Sequence, residues 1–159
     1  MSFSINFTLD GAGWATCIVT SGDAQCEITA SYLSDALGNL VRAALATLSD
    51  GNPVSLSFDE EPGEFRWLLE PLPSNLLIVR ILGFPELWGD RPDSEGKSLF
   101  RAEVTTIDFG KAVQAAAATV LEKHGVKGYA KSWIQHPFPL EQFQLLGDAI
   151  AKHETQLIS

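Results

Sequence analysis

Residues 83–98 hold the side chains best suited to binding another molecule, because this stretch combines four acids, an arginine and two large aromatics. It also contains three glycines and two prolines. A connection of this length is uncommon inside a compact domain and is usually functional or disordered. Rings flanked by charges are typical of interface hot spots, where the ring anchors and the charges steer the partner. The candidate binding residues are Phe84, Glu86, Trp88, Asp90, Arg91, Asp93 and Glu95.

Trp88 is the candidate anchor of this site, and the four acids of the stretch would attract a basic partner. The alternative is that Trp88 folds back over the open end of the sheet, where its indole would be buried without any partner. The two alternatives differ in the exposure of the ring in the isolated protein.

Clustered carboxylates can also hold calcium, because hard cations prefer oxygen ligands. The acids of residues 83–98 lack the alternating ligand spacing of an EF-hand, so solvated loop charge is the favoured interpretation. A second acidic group surrounds Pro62 and Gly63, where like charges keep a hairpin tip hydrated. We predict neither a metal site nor a cofactor.

Two cysteines, Cys17 and Cys26, lie on facing strands of a predicted hairpin. Buried free thiols are the favoured interpretation, and a cross-strand disulfide is the alternative. A catalytic thiol is disfavoured because no Lys, Arg or His lies near in sequence to lower the pKa of either cysteine. Their spacing matches no common zinc module.

The other residues capable of chemistry form no recognisable constellation. His124, His136 and His153 all lie in the last third of the chain, and no pair has the spacing of a helical metal site. The tripeptide at 108–110, Asp-Phe-Gly, occurs in protein kinases, but none of the accompanying kinase motifs is present. Gly11 and Gly13 precede a strand, whereas a phosphate-binding loop needs a helix there.

Composition restricts the class of protein and of partner. With 159 residues, 45% of them hydrophobic, the chain can form one domain, 1–159, with a substantial core. Its net charge of −9 should repel nucleic acid and anionic membranes. The first residues carry no basic start and no long apolar run, and no framework of cysteines is present, so we expect a cytoplasmic protein.

The hydrophobic pattern predicts the order βββ-α-ββββ-α-α, an α+β fold whose largely antiparallel sheet carries its helices on one face. Alternation predicts strands at 3–9, 14–20, 24–30, 54–59, 64–70, 76–82 and 99–107. Helical spacing predicts helices at 31–48, 109–124 and 140–153, with Ser31 and Asp108 as caps and a short helical turn at 129–134. A type II turn at Pro62 and Gly63 pairs Phe58 with Phe65.

Two runs of sequence, 29–37 (TASYLSDAL) and 60–67 (EEPGEFRW), resemble segments of a family of uncharacterised bacterial proteins of similar length. The resemblance implies a bacterial protein in which the helix start and the turn are features of the fold. It implies no activity, cofactor or site residue.

Two hypotheses of function follow. The first is an acidic protein-binding module without catalytic activity, such as an immunity-like inhibitor or a small adaptor. The second is a small enzyme or ligand binder whose site combines residues 83–98 with Arg80 and His136.

Overall fold

The computed structural model describes residues 2–86 and 90–158 and shows an α+β protein with the predicted order of elements. Its helices are α1 (Ala36–Ser49), α2 (Thr106–Trp133) and α3 (Leu140–Ile158). Its strands are β1 (Phe3–Leu9), β2 (Trp14–Ser21), β3 (Ala24–Ser31), β4 (Val54–Asp59), β5 (Glu64–Leu72), β6 (Leu76–Phe84) and β7 (Lys97–Thr105). A 3₁₀ turn, Asp93–Glu95, precedes β7.

The strands form two antiparallel sheets, of order β1-β2-β3 and β4-β5-β6-β7. The sheets adjoin where β3 meets β4, and there the Ser31 hydroxyl donates a hydrogen bond to the Asp59 carbonyl (3.0 Å). The inner faces of both sheets and the buried sides of the helices form one hydrophobic cluster. Trp67 and Trp133 are its largest fully buried side chains. The outer face of each sheet is therefore free to carry a site.

The hairpin registers agree with the alternation of the sequence. Phe58 pairs with Phe65, Leu56 with Trp67 and Val54 with Leu69, as predicted. The β2–β3 turn is formed by Gly22 and Asp23, so the cysteines are staggered by one pair. Cys17 therefore lies opposite Ile28, and Cys26 lies opposite Val19.

The turn between β4 and β5 differs from the prediction. Type II geometry requires a positive φ at Gly63, and Gly63 is not among the glycines with positive φ. The loop instead spans residues 60–63, and Glu60 N–H donates to the Gly63 carbonyl (2.9 Å). Glycine is required here because a Cβ at position 63 would collide with the carbonyl oxygen of Phe84.

Two predicted helix caps are also wrong. Ser31 is the last residue of β3, paired with Trp14, and α1 begins only at Ala36 with Asp35 at the N-cap. The cap of α2 is Thr105, whose hydroxyl accepts from Asp108 N–H (3.1 Å). Before α1 the strand pairing of β3 continues further than the local pattern indicated, whereas before α2 the strand β7 ends at Thr105, earlier than predicted, and the helix begins at Thr106.

The helix surfaces partly follow the prediction. Gly125 (φ 70°) interrupts α2, so the segment 126–133 is the predicted short helical turn, extended. In α1, Leu37 is fully buried, whereas Leu45 is half-buried. Leu140, the first residue of the predicted helix 140–153, is exposed at the start of α3. No helix in the described ranges is long and apolar enough to cross a membrane.

The free thiols of Cys17 and Cys26 are both buried, and burial raises the pKa of each above its ordinary value. An unfolded thiol ionises near pH 8.5, at about the ordinary pKa of cysteine. Above that pH the unfolded state binds fewer protons than the folded state, so stability falls as pH rises. We expect Cys17 alone to contribute a loss of about 1.4 kcal/mol per pH unit.

Urea unfolding between pH 7 and pH 10 measures this slope. Cys17→Ala should lower stability at pH 7, because a buried side chain is shortened, but should flatten the alkaline decline. An unchanged slope in the variant would show that Cys17 ionises equally well in the folded protein.

Candidate functional site

The two acidic segments of the sequence meet at one end of the four-stranded sheet. The β4–β5 tip contacts the start of the β6–β7 connection, where Gly63 lies against the backbone of Phe84 and Pro85. Segments 59–66 and 85–96 together form what we call the acidic end. They contain eight carboxylates and two arginines, a net −6 of the chain's −9. The fold thus concentrates charge that is dispersed in the sequence.

The connection that carries most of the candidate residues is shorter than the sequence indicated. Because β6 runs to Phe84 and β7 begins at Lys97, the connection spans at most residues 85–96, of which the structure describes 85, 86 and 90–96. This connection folds back onto the outer face of the sheet. A Cβ at Gly96 would collide with Leu82 and the Phe84 ring. Glycine at 96 therefore permits the close approach.

Arg66, on the outer face of β5, holds the connection in place. Its Nη1 donates to the Arg91 carbonyl (2.8 Å) and to the Asp93 carboxylate (2.9 Å). Its Nε and Nη2 each lie 3.3 Å from a carboxylate oxygen of Glu64. Burial opposes the charge of Arg66, but the bonds to Asp93 and Glu64 outweigh it and raise the pKa of Arg66 above its ordinary value.

Glu64 and Arg66 are unusually buried for an ion pair on the outside of a sheet. Their side chains are 10% and 13% exposed. The Ser57 hydroxyl donates to Glu64, and the Arg66 guanidinium lies 4.1 Å from the centroid of the Phe84 ring. A cation over an aromatic ring is stabilising, more so when water is excluded. This pair is the structural centre of the acidic end.

The remaining charges of the connection are exposed. Arg91 lies 3.5 Å from Glu86 and 3.6 Å from Glu95, and both acids are more than half exposed. Asp90 is exposed and has a positive φ of 49°. Surface pairs of this kind contribute about 0–1 kcal/mol. These acids are therefore accessible to a partner without a large energetic cost.

The structure places one of the two aromatic candidate residues and does not describe the other. Phe84 is only 5% exposed, because it lies beneath Arg66, so it supports the site from below and is not an exposed anchor. Trp88 lies outside the described residues, as do its two neighbours, so both alternatives for its ring stay predictions.

Only part of the alternative site is brought together. Arg80 and Asp93 line one groove of about 400 Å³ on the outer face of the sheet. His136 lies between α2 and α3 and does not line this groove; its Nε2 is buried without a hydrogen-bond partner. In residues 2–86 and 90–158, no group of three or more His, Cys, Asp or Glu side chains could hold a metal ion.

Arg66 is central to the candidate site, but the sequence alone did not predict it as a site residue. Glu64 and Arg66 occupy alternate positions of one strand, which places opposite charges on the same outer face. This i, i+2 spacing could have indicated an ion pair on the outer face of the strand. The partner Asp93 lies 27 positions away, beyond any local pattern.

Comparison with protein-family models, with curated proteins and with solved structures gave no match for this chain.

Proposed function

We propose that this protein is a small binding module that recognises a basic protein partner through its acidic end. The observation that carries the proposal is the concentration of a net −6 in segments 59–66 and 85–96. A surface of one sign attracts partners of the opposite sign, accelerates their association and disfavours partners of like charge.

The geometry supports binding in a second way. The Arg66 bonds to Asp93 and to the Arg91 carbonyl hold the connection against the sheet before any partner arrives. Preorganisation of this kind improves affinity, because less conformational freedom is lost on association. Exposed acids at positions 61, 86, 90 and 95 then present charge on a defined backbone.

The test compares two triple variants of equal charge. Glu61→Gln/Glu86→Gln/Asp90→Asn neutralises exposed acids of the acidic end, and Glu122→Gln/Glu141→Gln/Asp148→Asn neutralises exposed acids of the helices. Both change the formal charge from −9 to −6. The partner is first captured with the wild-type protein, identified by cross-linking and mass spectrometry, and purified. It should then bind the first variant at least about tenfold more weakly than it binds wild type, mainly because association is slower.

The variant with neutralised helix acids should bind that partner as tightly as wild type does. Because both variants have the same net charge, attraction that depends on net charge alone is the same for both. Equal weakening in both would indicate non-specific attraction. Unchanged binding in the first variant would place the interface elsewhere.

A further inference from the structure

Two arginines form no ion pair with a carboxylate of the described residues. The chain has five arginines, and three of them, Arg42, Arg66 and Arg91, form ion pairs. The other two, Arg80 and Arg101, lie directly opposite each other on β6 and β7. Within the part of the chain that the structure describes, neither forms an ion pair or a side-chain hydrogen bond. Like charges in opposite positions destabilise a sheet, so the fold does not benefit from this pair.

The two arginines end a row that crosses the whole four-stranded sheet. Ser55 pairs with Leu68, Leu68 with Arg80, and Arg80 with Arg101. The row lies on the outer face, because Val79 and Ile81, the neighbours of Arg80, point into the core. Ser55, Leu68 and Arg80 line the groove of about 400 Å³, together with Pro53 and Val54. Arg80 thus brings a cationic group to an open depression that also has apolar and hydroxyl groups, and Arg101 lies next to Arg80 in the row, outside the lining of the groove.

We propose that this row is a binding site for a small carboxylate ligand. The guanidinium groups of Arg80 and Arg101 hold the carboxylate, because the planar guanidinium fork matches the two carboxylate oxygens. The apolar body of the ligand lies over Leu68, towards Val54 and Pro53. Ser55 offers a hydroxyl at the far end of the row.

The surrounding acids limit how much negative charge a ligand can bring to the row. Glu70 and Asp93 also line the groove, and Glu103 follows Arg101 on the same face of β7. A dianion would meet stronger repulsion from these acids than a monoanion does. This site adjoins the acidic end, with which it shares Asp93, but neither proposal requires the other.

The test is an NMR titration with hexanoate, with inorganic phosphate as the second ligand. Arginine Nε–H signals report directly on the two guanidinium groups. We expect saturable shifts of Arg80 and Arg101 with hexanoate, at millimolar affinity, and weaker binding of phosphate. Arg80→Gln and Arg101→Gln should each weaken hexanoate binding by about tenfold, as expected for loss of a charge-assisted hydrogen bond.

Lys127→Gln, which removes an exposed charge from α2, is the matched control and should leave the affinity unchanged. The proposal is overturned if wild type shows no saturable shift, if the arginine variants bind as wild type does, or if phosphate binds more tightly than hexanoate. The variants alter an outer face, and thermal melts establish that each is folded before titration.

Discussion

Replacing Arg66 with glutamine is expected to destabilise the protein by about 3 kcal/mol, because it leaves the carboxylate of Glu64 buried without its cation. Both side chains are nearly buried, at 13% and 10% exposure, so water replaces the lost interaction poorly. The bonds to Asp93 and to the Arg91 carbonyl are lost with it. Denaturant unfolding measures the loss, and faster amide exchange in residues 90–96 should accompany it.

Lys111→Gln is the matched control, since both side chains of the Lys111–Glu154 ion pair are nearly half exposed, at 48% and 44%. An exposed pair of this kind contributes little to stability. A double-mutant cycle with Glu64→Gln should give a coupling energy of at least about 1 kcal/mol, because the two residues are in contact. Similar losses for Arg66→Gln and Lys111→Gln would remove Arg66 from the centre of the site.

Leu37→Ala should lower the free energy of unfolding by roughly 2–5 kcal/mol, the range seen when a fully buried leucine is truncated. Leu37 is 0% exposed and lies in α1, whose buried face packs on β4 and on α2 and α3. The change removes apolar contacts and leaves a cavity that the packed surroundings fill only in part. The urea midpoint should fall while the m-value stays constant.

Two leucines provide a graded comparison. Leu45→Ala, at a half-buried position of the same helix, should cost less than Leu37→Ala. Leu145→Ala, at a position 47% exposed on α3, should stay within about 0.5 kcal/mol of wild type. A loss below about 0.5 kcal/mol for Leu37→Ala would mean that this face of α1 does not support the core.

Local patterns predicted much of this fold. Alternation at Val54, Leu56 and Phe58 specified both the strand and its pairing with β5, because a slip of one residue would expose every apolar side chain. The helical spacing of apolar residues around Leu37 predicted α1 equally well, because the apolar face of a helix must pack against a core. Gly125 stopped a helical segment as expected, because its φ is positive.

The start of α1 shows where local patterns fail. Ser31 has the properties of an N-cap, but its hydroxyl bonds to the carbonyl of Asp59, 28 positions away, and its backbone continues β3. Capping is worth about 1 kcal/mol, so strand pairing and a tertiary hydrogen bond can outweigh it. At α2 the cap is Thr105 and not Asp108, because the Thr105 hydroxyl accepts a hydrogen bond from Asp108 N–H and the helix begins at Thr106.

The sequence by itself determined the class of fold, the two acidic segments and the overall negative charge, because these depend on composition and on neighbours within a few positions. Only the tertiary structure decided that the acidic segments meet, that Arg66 bonds to Asp93, and that Arg80 and Arg101 face each other with no ion pair to any residue in 2–86 or 90–158. The reason is physical. Which residues meet across long distances in sequence depends on how whole helices and strands pack and on which charges become buried. Local hydrophobic periodicity contains no information about either.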